Sequence, residues 1–552
     1  MIAAAKSLIA VSALAALLVT GCSHPETASA PRVQTASGTL QGARANGVVS
    51  FKGIPYAQPP VGALRWRAPQ PVLPRAGVLD ATAFGPGCIQ QSIPATSIYN
   101  DPPAAMSEDC LSLNVWAPAD ARDAPVMVWI HGGSLRIGGA AQPMYDGTVF
   151  AERGIVFISI NYRLGALGWM AHPELSAESP HGVSGNYGLL DQIEALRWIR
   201  DNVAAFGGDP DNVTVMGESA GALSVTYLMI SPLAEGLFDK AIVQSTNLRA
   251  FPALDRSVFG LPSAEDTGLR VGRALGRSTL AGLRDLDAEV LTQETARLRF
   301  NSQGTIDGWA LPGQIVDLLD RSAQAPVPLL AGFNSDELRT QRALVPAAPD
   351  TPEAYEELIR CGYGAYADAY LAVYPPDDPE QATFDAFRDT VYGWAGEHLA
   401  RSQADIGVPS YLYMFDHCYP AARARGICGF HASELPFVFG QTGENAVLTE
   451  HWPVPDGETD AALSTTMIDY WVSFAATGRP VSQAGPDWLP YAQDQSFMRF
   501  DDAPHLEHDP VPGMYEFHRD WVERQRTRGE QWFLQVGINA PQTCRTGRAA
   551  GE

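Results

Sequence analysis

Short apolar runs that alternate with helical patterns limit the fold of this chain more than any other feature. Five such runs, rich in β-branched residues, each have the length of a buried strand: 126–130, 155–160, 213–216, 241–243 and 327–332. Between them, segments such as 191–206 repeat apolar residues at helical spacing and end at Gly207-Gly208. The alternation predicts a mostly parallel sheet covered on both faces by helices.

Three other segments do not follow this alternation of strand and helix patterns. Residues 33–54 contain short runs broken by glycine and by Asn46-Gly47, which is typical of antiparallel hairpins. Residues 255–300 and 350–405 are largely helical in pattern, and we expect them to be insertions that cap the carboxyl edge of the sheet, where ligands bind. We predict one folded domain over residues 32–540 and a C-terminal tail over 541–552.

The composition is that of a large globular protein with an acidic surface. Of 552 residues, 46% are apolar and 18% charged, and 62 acidic against 38 basic side chains give a formal charge of −24. Such a charge repels phosphate backbones and anionic bilayers, so we expect no nucleic-acid partner. The acidity favours a role in solubility over substrate steering.

The N-terminus is typical of an export signal. Lys6 precedes an apolar stretch over residues 8–19, which is too short for a membrane-spanning helix, and Val19-Thr20-Gly21-Cys22 follows. We predict a signal peptide over 1–21 and a flexible tether over 22–31. The segment Val19-Thr20-Gly21-Cys22 resembles the lipobox of bacterial lipoproteins, which implies lipidation at Cys22. A plain signal peptide is the alternative. The expected location is the bacterial cell envelope or the outside of the cell, with membrane contact only through the lipid.

Gly217-Glu218-Ser219-Ala220-Gly221 is the motif that carries chemistry. A serine hydroxyl is a weak nucleophile, so it must project from a sharp turn toward a base, and flanking glycines tolerate the crowding there. The five-residue pattern alone is weak evidence, but here it follows a predicted strand and precedes a helical pattern. That context is typical of a nucleophile elbow and makes Ser219 the candidate nucleophile.

Longer segments resemble the type-B carboxylesterase/lipase family, the cholinesterase-like branch of the α/β hydrolases. They include FGGDPDNVTVMGESAG at 206–221, EDCLSLNV at 108–115, GIPYA at 53–57, NYRLG at 161–165 and GNYGL at 185–189, and the likeness covers about 33–521. The resemblance implies an α/β-hydrolase fold with a small N-terminal antiparallel sheet and helical insertions capping an active-site gorge. It also implies hydrolysis of carboxylic esters through an acyl-enzyme, with no cofactor and no metal.

The resemblance assigns the other two members of a catalytic triad. The base is His431, within GFHASELPF at 429–437, and its position in that segment distinguishes it from ten other histidines. The acid is Glu337, directly after a predicted strand. Leu338 stands where the family usually has glycine, which leaves Asp336 as the alternative acid. The order serine, glutamate, histidine is the one that an α/β hydrolase requires.

Backbone donors for the oxyanion also follow from the resemblance. They are the N–H groups of Ala220 and of Gly133 and Ser134, within the segment HGGS at 131–134. Each such donor contributes about 2.7 to 4 kcal/mol to transition-state stabilisation. The family more often has glycine where Ser134 stands. We expect His131 at the root of this segment to be structural.

Two supporting residues and three disulfides complete the predicted site. Glu218 is expected to tune the field near His431, or else to be a buried carboxylate satisfied by hydrogen bonds, and Ser245 resembles a family serine near the histidine. Apart from Cys22 the chain has six cysteines, which allow 15 pairings. The resemblance implies Cys88–Cys110, bordering the gorge; proximity favours Cys418–Cys428, and elimination leaves Cys361–Cys544.

The sequence leaves alternative functions to weigh and does not identify the substrate. A catalytically silent binding or adhesion protein of the same fold is the main alternative, although all three triad members are present. A metal hydrolase is disfavoured because no His-Glu-x-x-His spacing occurs. We predict small to medium carboxylic esters as substrates, and the sequence specifies no oligomeric state. Six aromatic residues are candidates for the pocket wall, with the core as default: Trp309, Phe333, Tyr392, Trp394, Phe437 and Phe439.

Overall fold

A computed structural model of the protein describes residues 30–491 and 494–541. The predicted signal peptide, Cys22 and Cys544 lie outside the described residues, so export, lipidation and the Cys361–Cys544 pairing stay predictions. Within the described residues, eleven strands form one sheet. From one edge to the other they are His505–His508, Ser496–Phe500, Ser410–Phe415, Leu329–Asn334, Lys240–Gln244, Gly208–Glu218, Ala124–Ile130, Val156–Ile160, Ser112–Pro118, Val48–Pro55 and Ala43–Ala45.

The centre of this sheet is parallel and its two borders are antiparallel. Neighbours are parallel from Ser496–Phe500 to Val156–Ile160, and the outer strands on both sides pair antiparallel. Each of the five predicted runs overlaps one of the parallel strands, and two of them, 155–160 and 327–332, begin one or two residues before the strand does. The predicted parallel sheet is therefore confirmed, and its side chains are almost all buried because helices cover both faces.

Helices connect the strands as the alternation predicts. The predicted helix 191–206 is Tyr187–Asn202 followed by a 3₁₀ turn, and Gly207 ends it in a left-handed conformation with φ 82°. The other helices described are Thr148–Ala151, Gly165–Trp169, Pro173–Glu178, Ala220–Ile230, Ala264–Ala274, Leu280–Arg284, Ala288–Arg297, Ile315–Leu319, Pro352–Tyr363, Ala367–Val373, Pro379–Arg388, Trp394–Asp405, Pro420–Ala424, Leu435–Val438, Glu458–Thr477 and Met514–Thr527.

The predicted N-terminal hairpins divide between two sheets. Arg32–Thr35 and Gly38–Gln41 pair antiparallel, and Val78–Asp80 joins them as a parallel third strand to complete the small sheet. The second hairpin, Ala43–Ala45 with Val48–Pro55, instead extends the border of the large sheet. Turn signals predict a hairpin but not the sheet that it joins.

The two helical insertions lie in different layers. In the first insertion, residues 255–300, the helix Ala288–Arg297 lies at the carboxyl edge of the sheet, where its Gln293 lines the main cavity. In the second insertion, Trp394–Asp405 packs on the strands Leu329–Asn334 and Ser410–Phe415, and so covers a face of the sheet. The helical period predicts a helix without predicting its layer.

Disulfides join Cys88 to Cys110 and Cys418 to Cys428. Within the part of the chain that the structure describes, no helix combines the length and the apolar character that a bilayer-spanning helix needs.

Candidate active site

Ser219 lies on the turn between a central strand and the helix that follows it. The strand Gly208–Glu218 ends just before it and the helix Ala220–Ile230 begins just after it. Its φ of 56° and ψ of −119° are strained for a residue with a side chain, and such strain collects at functional sites. Its backbone N–H donates to the carbonyl oxygen of Gln244 at 2.8 Å, which fixes the turn to the neighbouring strand.

Close packing beneath this turn explains the glycines on either side of Ser219. A Cβ on Gly221 would lie 2.0 Å from the carbonyl oxygen of Ile130, and one on Gly217 would lie 2.5 Å from the carbonyl carbon of Gly221. No side chain fits at those separations. The glycines thus let the helix begin directly against the sheet, which directs the serine away from it.

His431 and Glu337 form a buried pair next to this turn. The His431 Nδ1–H donates to Glu337 Oε2 at 2.6 Å, and the backbone N–H of His431 donates to the Glu337 carbonyl oxygen at 3.1 Å. Glu337 is fully buried, and His431 lines the same cavity as Ser219. The ring of Tyr392 stacks on the imidazole with 4.9 Å between centroids. The histidine is therefore held in one orientation from two sides.

The second oxygen of the Glu337 carboxylate is also fully occupied. Ser245 Oγ donates to Glu337 Oε1 at 2.6 Å, and the backbone N–H of Asn334 donates to it at 2.8 Å. Ser245 thus contacts the carboxylate and has no hydrogen bond to the histidine among the described residues. Asp336 instead faces Arg339, with 2.6 Å between the carboxylate and the guanidinium. Leu338, which replaces the usual glycine, is buried in the core and leaves the carboxylate in place.

The predicted oxyanion segment forms a tight turn beside Ser219. Gly133 has φ 98°, and a Cβ there would lie 2.1 Å from the carbonyl oxygen of Ile137, so only glycine fits. Ser134 has φ 57°, a left-handed backbone conformation that glycine adopts more easily than serine. Among the described residues, no protein acceptor takes the N–H of Gly133 or Ser134. Ala220, as the first helical residue, also has an N–H without a partner in its helix.

His131 is buried at the root of this turn and does not titrate near neutral pH. Burial lowers its pKa to about 4. Its ring stacks on Tyr162 at 4.5 Å between centroids, and its carbonyl oxygen accepts the Tyr162 hydroxyl at 2.8 Å. These contacts fit the structural role that we predict for it.

Glu218 is the second carboxylate at the histidine. Its Oε1 lies 3.1 Å from His431 Nε2, the nitrogen opposite the one that Glu337 binds. Burial raises the pKa of Glu218 above its usual value, and the attraction of the His431 imidazolium opposes that rise and favours the carboxylate. Burial by itself lowers the pKa of His431, but the two carboxylates raise it above its usual value. The imidazolium is therefore stabilised at both ring nitrogens.

Replacing Glu218 by Gln is expected to move the acidic limb of the kcat/KM profile to lower pH by about one unit. Without the anion the pKa of His431 falls, so the neutral imidazole, which is the form that the predicted base requires, persists at lower pH. The plateau should drop by up to about tenfold, because the imidazolium of the transition state loses a neighbour. The measurement is kcat/KM against pH. Asp101→Asn is the control, since Asp101 lines the same cavity; a limb that shifts equally in both variants contradicts the assignment.

The cavity over Ser219 and His431 has a volume of about 530 Å³. Much of its wall comes from the loop between Cys88 and Cys110, as the resemblance implies. Tyr99 on that loop donates its hydroxyl to the His431 carbonyl oxygen at 2.9 Å, a contact that the sequence analysis missed. Other wall residues that it missed are Ile93, Pro103, Ile137, Tyr145, Leu435, Leu448 and Trp452.

None of the six aromatic candidates lines this cavity among the described residues. Phe333, Phe437 and Phe439 are buried in the core, which confirms the default interpretation. Trp309 stacks on His181 near a different cavity. Residue type alone did not separate wall from core, because buried aromatic residues look alike in a sequence.

The serine turn, the carboxylate and the oxyanion segment all follow parallel strands whose carboxyl ends meet at one edge of the sheet. With the sheet order described above, this places the chain among the α/β hydrolases.

Comparison with known proteins identifies the family. Residues 29–517 match the Carboxylesterase family. A fumonisin B1 esterase of Sphingopyxis macrogoltabida is 37% identical over 481 residues, which are 84% of this chain and 85% of that protein. A para-nitrobenzyl esterase of Bacillus subtilis strain 168 is 34% identical over 493 residues, 87% of this chain and 96% of that protein. A solved PNB esterase matches with a TM-score of 0.76 at 34% identity, covering 88% of this chain and 99% of the other.

The chain therefore belongs to the carboxylesterase family. It is a serine carboxylesterase that hydrolyses carboxylic esters.

Proposed function

We propose that Ser219 is the nucleophile, His431 the general base and Glu337 the residue that orients the base. The serine oxygen attacks the ester carbonyl carbon while His431 Nε2 takes its proton. Collapse of the tetrahedral intermediate expels the alcohol, which receives that proton and leaves an acyl-enzyme. Water then attacks the acyl carbon by the same route and releases the acid.

The backbone N–H groups of Gly133, Ser134 and Ala220 stabilise the negative charge that develops on the carbonyl oxygen. Gly133 and Ser134 lie on one crowded turn and Ala220 at the start of the helix after Ser219, so these donors are in position before the reaction begins. Glu218 and Glu337 together stabilise the imidazolium that forms in the same step.

One observation carries this proposal: the imidazole bound to Glu337 at 2.6 Å shares a cavity with a serine on a strained elbow. A base held by a buried carboxylate and open to a cavity is the arrangement that nucleophilic serine catalysis needs.

The cavity size supports small to medium esters as substrates. A volume of about 530 Å³ lies within the range of roughly 300 to 1,000 Å³ that holds drug-sized ligands. Its wall is mostly apolar, which suits short and medium acyl chains. A hexadecanoyl chain together with its leaving group would have to extend beyond it.

A panel of p-nitrophenyl esters from acetate to palmitate tests this proposal. We expect kcat/KM to be highest between butyrate and octanoate, and to fall by about tenfold or more at palmitate because the long chain is left partly in water. The release of p-nitrophenol is measured by absorbance. A panel without any turnover favours the binding-protein alternative, and a maximum at palmitate contradicts the size argument. Because one relative is named a fumonisin B1 esterase, that ester is a further substrate to assay.

A further inference from the structure

A largely open depression of about 600 Å³ adjoins the cavity over Ser219. We call it the arginine cavity. Three residues form a wall common to both cavities: Gln91, Ser92 and Gln293. Three arginines line it: Arg136, Arg297 and Arg299. Its lining within the described residues contains no carboxylate. A ligand in the catalytic cavity therefore needs to pass only this wall to reach a positively charged surface.

Two of these arginines have no anionic partner among the described residues. Neither Arg136 nor Arg299 forms an ion pair there, and neither guanidinium donates a hydrogen bond within the described part of the chain. Arg297 differs, because its guanidinium pairs with Glu294 at 2.5 Å. The cavity thus presents two uncompensated cations and one compensated cation.

Arg136 lies close to both the oxyanion turn and a further arginine. Arg136 follows directly after the oxyanion turn, and burial lowers the pKa of its guanidinium. Arg249 lies near enough that Arg136 contributes to lowering its pKa as well, after the larger effect of burial. Arg136, Arg297 and Arg299 are all exposed, so water screens their mutual repulsion in part, and a bound anion would reduce what remains.

The cluster of positive charge in the arginine cavity contrasts with the negative charge of the whole chain. The chain carries a formal charge of −24, so its general field repels anionic substrates. An enzyme with that charge that uses an anionic ester needs a local positive surface near the reaction site. Guanidinium groups suit this task because they bind carboxylates through two parallel hydrogen bonds.

We propose that Arg136 and Arg299 form an anion subsite, and that the esters this enzyme prefers carry a free carboxylate. This inference rests on the proposed esterase mechanism at Ser219. The apolar cavity holds the hydrocarbon part of the ester and places its carbonyl at the oxyanion turn. The carboxylate extends past Gln293 into the arginine cavity.

Matched ester pairs test the proposal. The anionic members are monobenzyl esters of the straight-chain diacids from glutaric to suberic acid, and in each neutral partner an isopropyl group replaces the carboxylate. Acetates of ω-hydroxyalkanoic acids, paired in the same way, test an anion on the alcohol side. Chromatography of the released alcohol gives the rate for each ester. The quantity compared is the ratio of kcat/KM for the anionic ester to kcat/KM for its neutral partner.

We expect the double variant Arg136→Gln with Arg299→Gln to lower this ratio by about tenfold at the best chain length. High salt should lower the ratio of the unmodified enzyme as well. Arg136→Lys retains the charge and should restore part of the ratio. Since Arg136 adjoins the oxyanion turn, its replacement can alter turnover generally, but such a change affects both esters of a pair and leaves the ratio unchanged.

Arg297→Gln is the matched control, because this arginine lines the same cavity but is neutralised by Glu294. Its ratio should stay within about twofold of the unmodified enzyme. Equal ratios in the unmodified enzyme and the double variant at every chain length overturn the anion subsite. Failure to hydrolyse either member of any pair overturns the esterase mechanism instead, so the two failures are distinguishable.

Discussion

The Ser219→Ala variant is expected to lose turnover of every ester by a factor on the order of 10⁶. The hydroxyl is the only group in the proposed mechanism that forms a bond to substrate, so its removal eliminates the acyl-enzyme route. Folding should be unaffected, because the hydrogen bonds that hold this turn use the backbone of Ser219 and not its hydroxyl. The measurement is kcat for p-nitrophenyl butyrate, with the melting temperature as a check on folding.

Ser92→Ala is the matched control for this experiment. Ser92 also lines the cavity, but its side chain is exposed and lies on the disulfide loop. Its turnover should stay within about twofold of the unmodified enzyme. Turnover by Ser219→Ala that matches this control would exclude Ser219 as the nucleophile, whereas residual activity of a few parts per million is compatible with water attack at the intact oxyanion turn.

The sequence predicted the parallel sheet and the elbow because both depend on local patterns. A buried parallel strand is a continuous apolar run, and the elbow needs small residues at fixed positions around Ser219. Gly217 and Gly221 show this directly, since each would clash with backbone atoms if it carried a Cβ. Such steric demands act over a few residues, so one sequence reveals them.

The cavity wall was not predictable, because it depends on contacts between residues that are distant in sequence. Tyr99 and Trp452 reach the site from loops far from Ser219 along the chain, and their ring directions depend on tertiary packing. The apolar residues that line the cavity have the same composition as the core beneath it. The arginine cavity was missed as well, because Arg136 and Arg299 are far apart along the chain and line one surface only in the folded protein.

The acid of the proposed triad is where sequence and structure complement each other. The resemblance favoured Glu337 but left Asp336 open, because Leu338 departs from the family pattern. In the structure Glu337 accepts the His431 Nδ1–H, while Asp336 binds Arg339. The two carboxylates are adjacent in sequence and oppositely directed, which makes them a natural pair of test and control.

Glu337→Gln is expected to lower kcat by a factor of about 10³ to 10⁴. The amide can donate to His431 Nδ1, which then leaves Nε2 protonated and unable to accept the Ser219 proton. It also carries no charge to stabilise the imidazolium that forms during attack. The change should appear in kcat and in kcat/KM alike, since the lost interaction belongs to the transition state.

Asp336→Asn removes the neighbouring carboxylate and should change kcat by no more than about threefold. Its partly exposed ion pair with Arg339 contributes at most about 1 kcal/mol to the free energy of unfolding. A larger loss of kcat in Asp336→Asn than in Glu337→Gln would reverse the assignment of the acid. Equal and small losses in both variants would mean that His431 depends on neither Glu337 nor Asp336, because its orientation would then come from Glu218, the Tyr392 stack and its backbone.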